Sequence, residues 1–298
     1  MTDGLASYQA ALGQLARPCT YNSADTHALL ILLTISSCAD PWGRPDRTVR
    51  SMKGSTLANT EPYLRSAEAA RRFGVSGKAL RLHEDIAVTA PVSLTDQEAS
   101  TLPVAALTAW FALVETGNLQ AGETVLVQGT GGVALFGLQI ARALGARIIV
   151  TSRSAEKLER VKALGAWGTI DTGATPDWSG AALELTDGRG LDHVLELIGG
   201  DNIGQSAAAL ASGGRIAQIG FMKGADIVLS AVPMMLKRAV IQGITVGHRR
   251  AFEDLVRFID RHGLKPVIDQ TYGFKDAPAA FAHLDRGPFG KIVIDIRG

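Results

Sequence analysis

A glycine-rich turn between two apolar segments carries the clearest chemical signal in this sequence. The turn, Gly129–Ala134, follows the apolar segment Thr124–Gln128 and opens a segment whose apolar residues recur at helical spacing. Glycine allows a tight turn and lets backbone N–H groups approach a pyrophosphate, which the positive end of a helix dipole also attracts. The pattern predicts a dinucleotide site rather than its alternative, a glycine-rich turn in another α/β fold. The expected contacts are Gly129, Thr130, Gly131, Gly132 and Val133.

The residues that end the second predicted strand indicate which dinucleotide binds. Folds that bind NAD place Asp or Glu there to accept a hydrogen bond from the ribose 2′-hydroxyl, whereas a 2′-phosphate favours Arg or hydroxyl donors. This sequence has Ser152-Arg153-Ser154 after the predicted strand Arg147–Thr151. An arginine can grip a phosphate with forked hydrogen bonds. We therefore expect NADP(H), bound through Ser152, Arg153 and Lys157; the alternative is that Arg153 is an ordinary surface arginine.

Strand and helix patterns alternate along residues 124–247 and predict the fold around this turn. Six apolar strands separated by helices are typical of an α/β fold with a doubly wound parallel sheet, a Rossmann fold. Ligands in such sheets bind beyond the carboxyl ends of the strands. Small residues follow several of these strands, including Gly199 and Gly220, so a flat cofactor can approach closely. The later strands are expected at Gly168–Asp171, His193–Ile198, Arg215–Ile219 and Ala239–Val246.

Composition narrows the class of protein further. The chain has 298 residues, is 46% hydrophobic and 20% charged, and carries a net charge of +1. Such a balanced charge gives no general attraction to nucleic acid or to acidic lipid. The two cysteines, Cys19 and Cys38, are too few for a disulfide framework, so we expect a cytoplasmic protein. The apolar run Ala28–Leu33 is too short to span a bilayer, so no membrane association is expected.

From about residue 82 to Gly298 the sequence resembles the medium-chain dehydrogenase/reductases, in their quinone-oxidoreductase-like and zinc-type alcohol-dehydrogenase-like branch. The motifs that carry the resemblance are Ala99–Pro103, Leu107–Trp110 and the glycine turn, in the family's order and spacing. The resemblance implies a Rossmann domain joined to a GroES-like catalytic domain, and a homodimer. It also implies hydride transfer from NADPH to a small-molecule substrate, such as a quinone, an enone or a related carbonyl compound.

The same resemblance implies contacts with the other half of the cofactor. Gly199, Gly220 and Phe221 would border the ribose–nicotinamide half, and Thr108 would lie near the nicotinamide. The alternative for Thr108 is a hydroxyl bonded to a backbone carbonyl of its own helix. His248 follows the last predicted strand and could donate a proton, but a lone histidine is more often a bystander. The catalytic residues are therefore left unassigned.

The N-terminal part of the chain departs from the family. Residues 1–81 lack the glycine-rich strand pattern of the GroES-like domain and the Cys or His positions that hold catalytic zinc. We therefore expect a zinc-independent enzyme with no metal site. The predicted domains are an atypical region, truncated or fused, over 1–81; a remnant of an incomplete or atypical GroES-like catalytic domain over 82–118 and 265–298; and the dinucleotide-binding domain over 119–264.

Residues 62–86 resemble the first helix-turn-helix of mercury-resistance-type transcription regulators, with Ala70, Gly74, Val75 and Ser76 at matching places. DNA recognition needs a recognition helix together with phosphate contacts, usually from a dimer. We favour a solvated basic helical hairpin over a working DNA reader, and expect no nucleic-acid partner. Two alternatives to the enzyme nevertheless stay open. One is an NADPH-binding module joined to this fragment as a redox-responsive regulator, and the other is a catalytically defective remnant.

Overall fold

A computed structural model describes residues 88–296 of the chain. The predicted atypical region over 1–81 and the helix-turn-helix resemblance over 62–86 lie outside these residues. None of the helices in the described part is long and apolar enough to cross a bilayer.

A parallel sheet of six strands forms the centre of the described part, as the sequence predicts. The strand order is β3-β2-β1-β4-β5-β6, so the direction of winding reverses between β1 and β4. In such sheets the reversal leaves a crevice at the carboxyl ends of the two strands, where ligands bind. The strands are β1 Thr124–Gln128, β2 Arg147–Ser152, β3 Gly168–Asp171, β4 Leu191–Glu196, β5 Leu210–Gln218 and β6 Val240–Gly243.

Burial on both faces explains why the central strands are almost continuously apolar. Helices cover both sides of a parallel sheet, so its strands do not alternate between apolar and polar residues. Every residue of β1 is buried, and the side chains of Leu126, Ile149 and Val194 are completely inaccessible to solvent. Burial of such apolar side chains stabilises each by roughly 1.5–3 kcal/mol relative to exposure, which makes the central strands the firmest platform for a site.

Helices connect the strands and pack on both faces of the sheet. A long amphipathic helix buries Phe252, Leu255 and Ile259 on one side. In the described residues the helices are α1 Asp96–Ala99, α2 Leu107–Trp110, α3 Gly132–Ala143, α4 Ala155–Ala163, α5 Trp178–Leu185, α6 Asn202–Ala209, α7 Ala231–Lys237, α8 Arg249–His262 and α9 Ala277–Asp285, with a short 3₁₀ turn at Phe274–Asp276. Two π-helical segments, Leu102–Ala106 and Phe111–Glu115, flank α2.

Four of the predicted strands differ from the observed ones at their ends, although β2 differs only by extending one residue further, to Ser152. β4 stops at Glu196 instead of Ile198, because the next backbone N–H groups bond to side chains instead of to a strand. β5 begins at Leu210 instead of Arg215, since Leu210 already pairs with Leu191 across an irregularity in the register. β6 is shorter than predicted because its last residue pairs with the last residue of β5.

The C-terminal segment forms a separate two-stranded parallel sheet of β7, Ile268–Gly273, and β8, Lys291–Asp295. The chain entering β8 lies directly against the glycine turn. The Gly290 N–H donates a hydrogen bond to the Thr130 carbonyl, with N and O 2.9 Å apart. The predicted domain boundaries at residues 118 and 265 stay predictions, but the structure shows that the end of the chain reaches the predicted cofactor site.

Candidate functional site

The glycine turn has the geometry that a pyrophosphate requires. Gly129 lies at φ +77°, a conformation that favours glycine, and its N–H donates to the Thr151 carbonyl at 2.7 Å. α3 begins immediately afterwards, and its N-cap, Gly131, makes no side-chain capping hydrogen bond. A Cβ atom added at Gly131 would meet no protein atom within 4 Å, so the space beside this backbone is open. The turn therefore fits an anion at a helix N-terminus.

Small residues let α3 lie close to the sheet behind this turn. Ala134 is completely buried, as expected for the last position of the motif. One turn later, a Cβ atom on Gly137 would come within 2.6 Å of the Leu195 Cδ1 atom and 3.3 Å of the Val127 Cγ1 atom. Gly137, which the local pattern of the motif does not single out, keeps the helix N-terminus at the edge of β1.

At the end of β2 the structure leaves a guanidinium available for a ligand. Arg153 is exposed, and it makes no ion pair or hydrogen bond with another residue in the range 88–296. The two flanking serines instead order the backbone. The Ser152 Oγ accepts from the Ser154 N–H at 3.2 Å, and the Ser154 Oγ accepts from the Lys157 N–H at 3.3 Å. The turn is therefore ordered by its serines while the arginine side chain stays accessible.

Two charged groups close to Arg153 have partners of their own. The Lys157 ammonium donates a hydrogen bond to the Gly287 carbonyl in the C-terminal segment. Asp171, which pairs in register with Ser152, accepts from the Gly173 N–H at 2.8 Å. This carboxylate is adjacent to Ser152 across the sheet although it is distant in sequence, so a search confined to the end of β2 missed it.

The glycines that follow β4 and β5 lie in contact with one another. A Cβ atom on Gly199, which has φ +70°, would come within 2.8 Å of both the Gly220 carbonyl oxygen and the Phe221 Cα atom. The Phe221 side chain is 72% exposed at this edge. The structure thus brings together Gly199, Gly220 and Phe221, the three residues expected beside the ribose–nicotinamide half. Their contact with a cofactor stays a prediction.

Thr108 and His248 both have structural partners. The Thr108 side chain is 1% exposed, and its hydroxyl donates to the Val104 carbonyl at 2.7 Å, which is the alternative arrangement considered above. The His248 Nδ1 accepts from the Ala251 N–H at 3.1 Å, so the imidazole caps α8. The ring also contacts Phe111 edge-on, with 5.4 Å between ring centroids. The nicotinamide contact proposed for Thr108 therefore stays a prediction, and His248 remains unassigned.

Lys291 is a candidate site residue that the sequence analysis missed. Its aliphatic stem crosses the start of α3, since a Cβ atom on Gly132 would lie 2.6 Å from the Lys291 Cδ atom. Burial lowers the pKa of the Lys291 ammonium below its usual value. A half-buried cation beside a helix N-terminus attracts anions. Only the fold reveals this position, because β8 lies far from the glycine turn in the sequence.

Within residues 88–296 no group of three or more His, Cys, Asp or Glu side chains is placed to hold a metal ion. Both cysteines of the chain lie outside that range.

Comparisons with known proteins agree with this architecture. Residues 132–261 match the family described as zinc-binding dehydrogenase. A zinc-type alcohol dehydrogenase-like protein of Schizosaccharomyces pombe is 40% identical over 238 residues, which cover 78% of this chain and 69% of that protein. A crystal structure titled as a proposed alcohol dehydrogenase of Sinorhizobium meliloti superposes with a TM-score of 0.68 at 59% identity, covering 70% of this chain. Another, titled an NAD-dependent alcohol dehydrogenase, superposes with a TM-score of 0.63 at 32% identity over the same share.

The match does not extend over the whole of these solved structures. This chain covers 61% of the Sinorhizobium meliloti structure and 61% of the NAD-dependent one. The family match, by contrast, begins at the first residue of α3, after β1 and Gly129–Gly131, and runs to the end of α8.

The proposed contact between Lys291 and a phosphate can be tested through its dependence on pH. A phosphate binds the protonated ammonium, so affinity for the expected NADPH should fall as pH rises through the pKa of Lys291, which burial lowers below the ordinary lysine value. We expect titration calorimetry between about pH 7 and about pH 10 to show this decline in the unmodified chain. The matched control is Lys291→Arg, whose guanidinium stays charged and should flatten the profile. Identical profiles for the two proteins would exclude Lys291 from the phosphate site.

Proposed function

This chain belongs to the medium-chain dehydrogenase/reductase superfamily, and on that premise we propose that it is an oxidoreductase that uses NADPH. The proposed reaction is hydride transfer to a quinone, an enone or a related small carbonyl compound. One observation carries the proposal: an open glycine turn at the start of α3 lies beside an exposed arginine at the end of β2. The first feature suits a diphosphate and the second suits a phosphate on the adenosine ribose.

The preference for NADPH over NADH depends on the residues after β2. Serine occupies the position where NAD-dependent folds carry a carboxylate. The N–H donors of the Arg153 guanidinium are not used by another residue among 88–296, so they are available to a ligand. Asp171 lies nearby, but its carboxylate accepts hydrogen bonds from the turn at Gly173 and Ala174. The relative titled NAD-dependent supports the opposite choice, so the proposal rests on the local chemistry of Arg153.

The chain's own residues bind and orient the cofactor in the proposed reaction, while the nicotinamide supplies the hydride. The glycine turn and Lys291 hold the diphosphate. The contact between Gly199 and Gly220 forms a wall without side chains, along which a flat ring can lie. We propose that no zinc takes part, because residues 1–81 lack the Cys or His positions at which the family holds catalytic zinc.

The proposed reaction has a direct test. The purified chain should oxidise NADPH, followed by its absorbance, when a quinone, an enone or an aldehyde is supplied as acceptor, and it should do so faster than with NADH. A control without acceptor measures background oxidation. Binding of NADPH without turnover on any acceptor would contradict the proposed reaction and support a cofactor-binding remnant.

The Arg153→Ala substitution should affect the binding of NADPH and of NADH differently. Losing a charge-assisted phosphate contact should weaken NADPH binding by about tenfold or more, whereas NADH, which lacks the 2′-phosphate, should change by less than about twofold. Dissociation constants from calorimetry measure both effects. Lys162→Ala is the matched control, because this lysine pairs with Glu159 on the surface of α4 and its loss removes the same charge. An equal change for both nucleotides would refute the role of Arg153.

We further propose that the chain forms a homodimer through the outer edge of β6. This strand is the last in the sheet, and within the described residues it pairs only with β5, so its other edge keeps free N–H and C=O groups. Apolar side chains are exposed on α7, which immediately precedes β6 in the chain, and on the loop before it, and an exposed apolar patch is typical of an interface. We name this surface the edge patch; it consists of Val228, Val232, Met235 and Leu236.

Sedimentation velocity tests the dimer. The unmodified chain should sediment as a dimer at micromolar concentration, and Leu236→Glu should yield a monomer because it places a charge in the edge patch. Leu284→Glu is the matched control, since Leu284 is also more than half exposed but lies on α9. A monomeric unmodified chain, or equal effects of the two substitutions, would contradict the proposed interface.

A further inference from the structure

The carboxylate of Glu196 is buried at the centre of the candidate site, and none of the proposed cofactor contacts accounts for it. Glu196 is the last residue of β4, and its accessible surface is 0%. A buried carboxylate is costly unless donors surround it. Within residues 88–296 its partners are neutral amides, a hydroxyl and backbone N–H groups, with no lysine or arginine among them.

One carboxylate oxygen holds the turn at Gly199. Glu196 Oε1 accepts from the Ile198 N–H at 3.0 Å and from the Gly199 N–H at 2.9 Å. These two amides have left the β4 ladder, and Gly199 lies at φ +70°. Without the carboxylate the buried Gly199 N–H would lose its acceptor, and the Ile198 N–H would keep only Gln128 Oε1, at 3.3 Å, so the side chain stabilises the turn in this conformation.

The other carboxylate oxygen ties the same turn to the strand that leads into the glycine turn. Glu196 Oε2 accepts from the Gln128 Nε2 at 2.9 Å and from the Ser206 hydroxyl on α6. Asn202 Nδ2 donates to both oxygens, at 3.0 and 3.1 Å. Gln128 immediately precedes Gly129, and its own Oε1 accepts from the Leu197 N–H at 3.0 Å. The two halves of the candidate site are thus joined through a single buried side chain.

The main chain of Glu196 completes the connection. Its carbonyl accepts from the Ile219 N–H at 2.9 Å and from the Gly220 N–H at 3.0 Å. The turn after β4 and the turn after β5 are therefore both held by one residue, and these turns carry the glycines that are in contact with each other.

We propose that Glu196 is a positioning residue for the nicotinamide half of the cofactor, acting through the turn at Gly199. The role rests on the proposed NADPH-binding function, and it assigns to Glu196 the placement of the wall along which the nicotinamide lies. The adenosine half depends on the glycine turn and on Arg153, which Glu196 does not contact. Loss of the carboxylate should therefore weaken binding of the nicotinamide half of the cofactor more than binding of the adenosine half.

Glu196→Gln tests this role with little change in shape. Every group that faces the carboxylate donates a hydrogen bond to it. A glutamine would replace one carboxylate oxygen by an NH₂ group, which would then face donors instead of accepting from them. We expect the dissociation constant of NADPH to rise about tenfold. That of 2′,5′-ADP, which contains the adenosine 2′-phosphate but no nicotinamide, should rise less than about twofold. Both are measured by calorimetry on the full chain.

Glu123→Gln is the matched control. It makes the same substitution just before β1, at the opposite end of the sheet, where Glu123 bonds to His193. It should leave the affinities for both nucleotides unchanged. If Glu196→Gln weakens NADPH and 2′,5′-ADP by the same factor, or leaves NADPH unaffected, the positioning role is overturned. If the unmodified chain binds neither nucleotide, the proposed function itself fails, which is a different result.

Amide hydrogen exchange supplies a readout that needs no ligand. In Glu196→Ala, which removes the acceptor altogether, the Gly199 amide should exchange faster, while the amides of β1 keep their protection. Unchanged exchange at Gly199 would also overturn the proposal. If Glu196→Gln does not fold, Ser206→Ala is used instead, since it removes one donor to Oε2 and leaves the turn's own amides in place. It should raise the NADPH dissociation constant about threefold with 2′,5′-ADP unchanged, and equal changes would count against the role.

Discussion

The parallel pairing of β1 with β2 on one side and β4 on the other is the constraint on which the candidate site depends. In this register Gln128 lies opposite Thr151 and Val127 lies opposite Leu195, so the three strands end at the same edge of the sheet. The winding reverses between β1 and β4, which opens a crevice there. The glycine turn, the exposed arginine and the turn at Gly199 are neighbours for that reason alone.

Charge is distributed unevenly across this edge. Lys291 places positive charge beside the start of α3 and Arg153 places it just after β2, where phosphates are proposed to bind. Glu196 carries negative charge in the interior, where neutral donors surround it. A diphosphate at the turn would gain from the helix N-terminus and from Lys291, and a ribose phosphate would gain from Arg153, while the buried carboxylate is already saturated by its donors. The cations at the proposed phosphate site and the buried Glu196 carboxylate that holds the neighbouring turns therefore have opposite charges but do not form ion pairs with each other.

The C-terminal segment is part of this site because it returns to the turn. Gly290 donates to the Thr130 carbonyl, and Gly287 accepts from the Lys157 ammonium. These contacts link the start of α3 and the first turn of α4 to the chain entering β8. They also explain why Lys157 has a partner of its own, whereas Arg153 does not have one among the described residues.

Local signals in the sequence determined the strands, the glycine turn and Ser152-Arg153, because an apolar run or a turn glycine reports on its own few residues. The exact ends of β4 and β5 were not predictable, since Glu196's carboxylate and the pairing of Leu210 decide them from outside the strand. Asp171, Lys291 and Glu196 could not be predicted as site residues for the same reason. Each lies at the site because of contacts with residues far away in the sequence, and periodicity carries no information about such contacts. Sequence alone therefore determined the class of fold and the glycine turn that is proposed to bind phosphate, whereas only tertiary packing decided which charges meet at the candidate site.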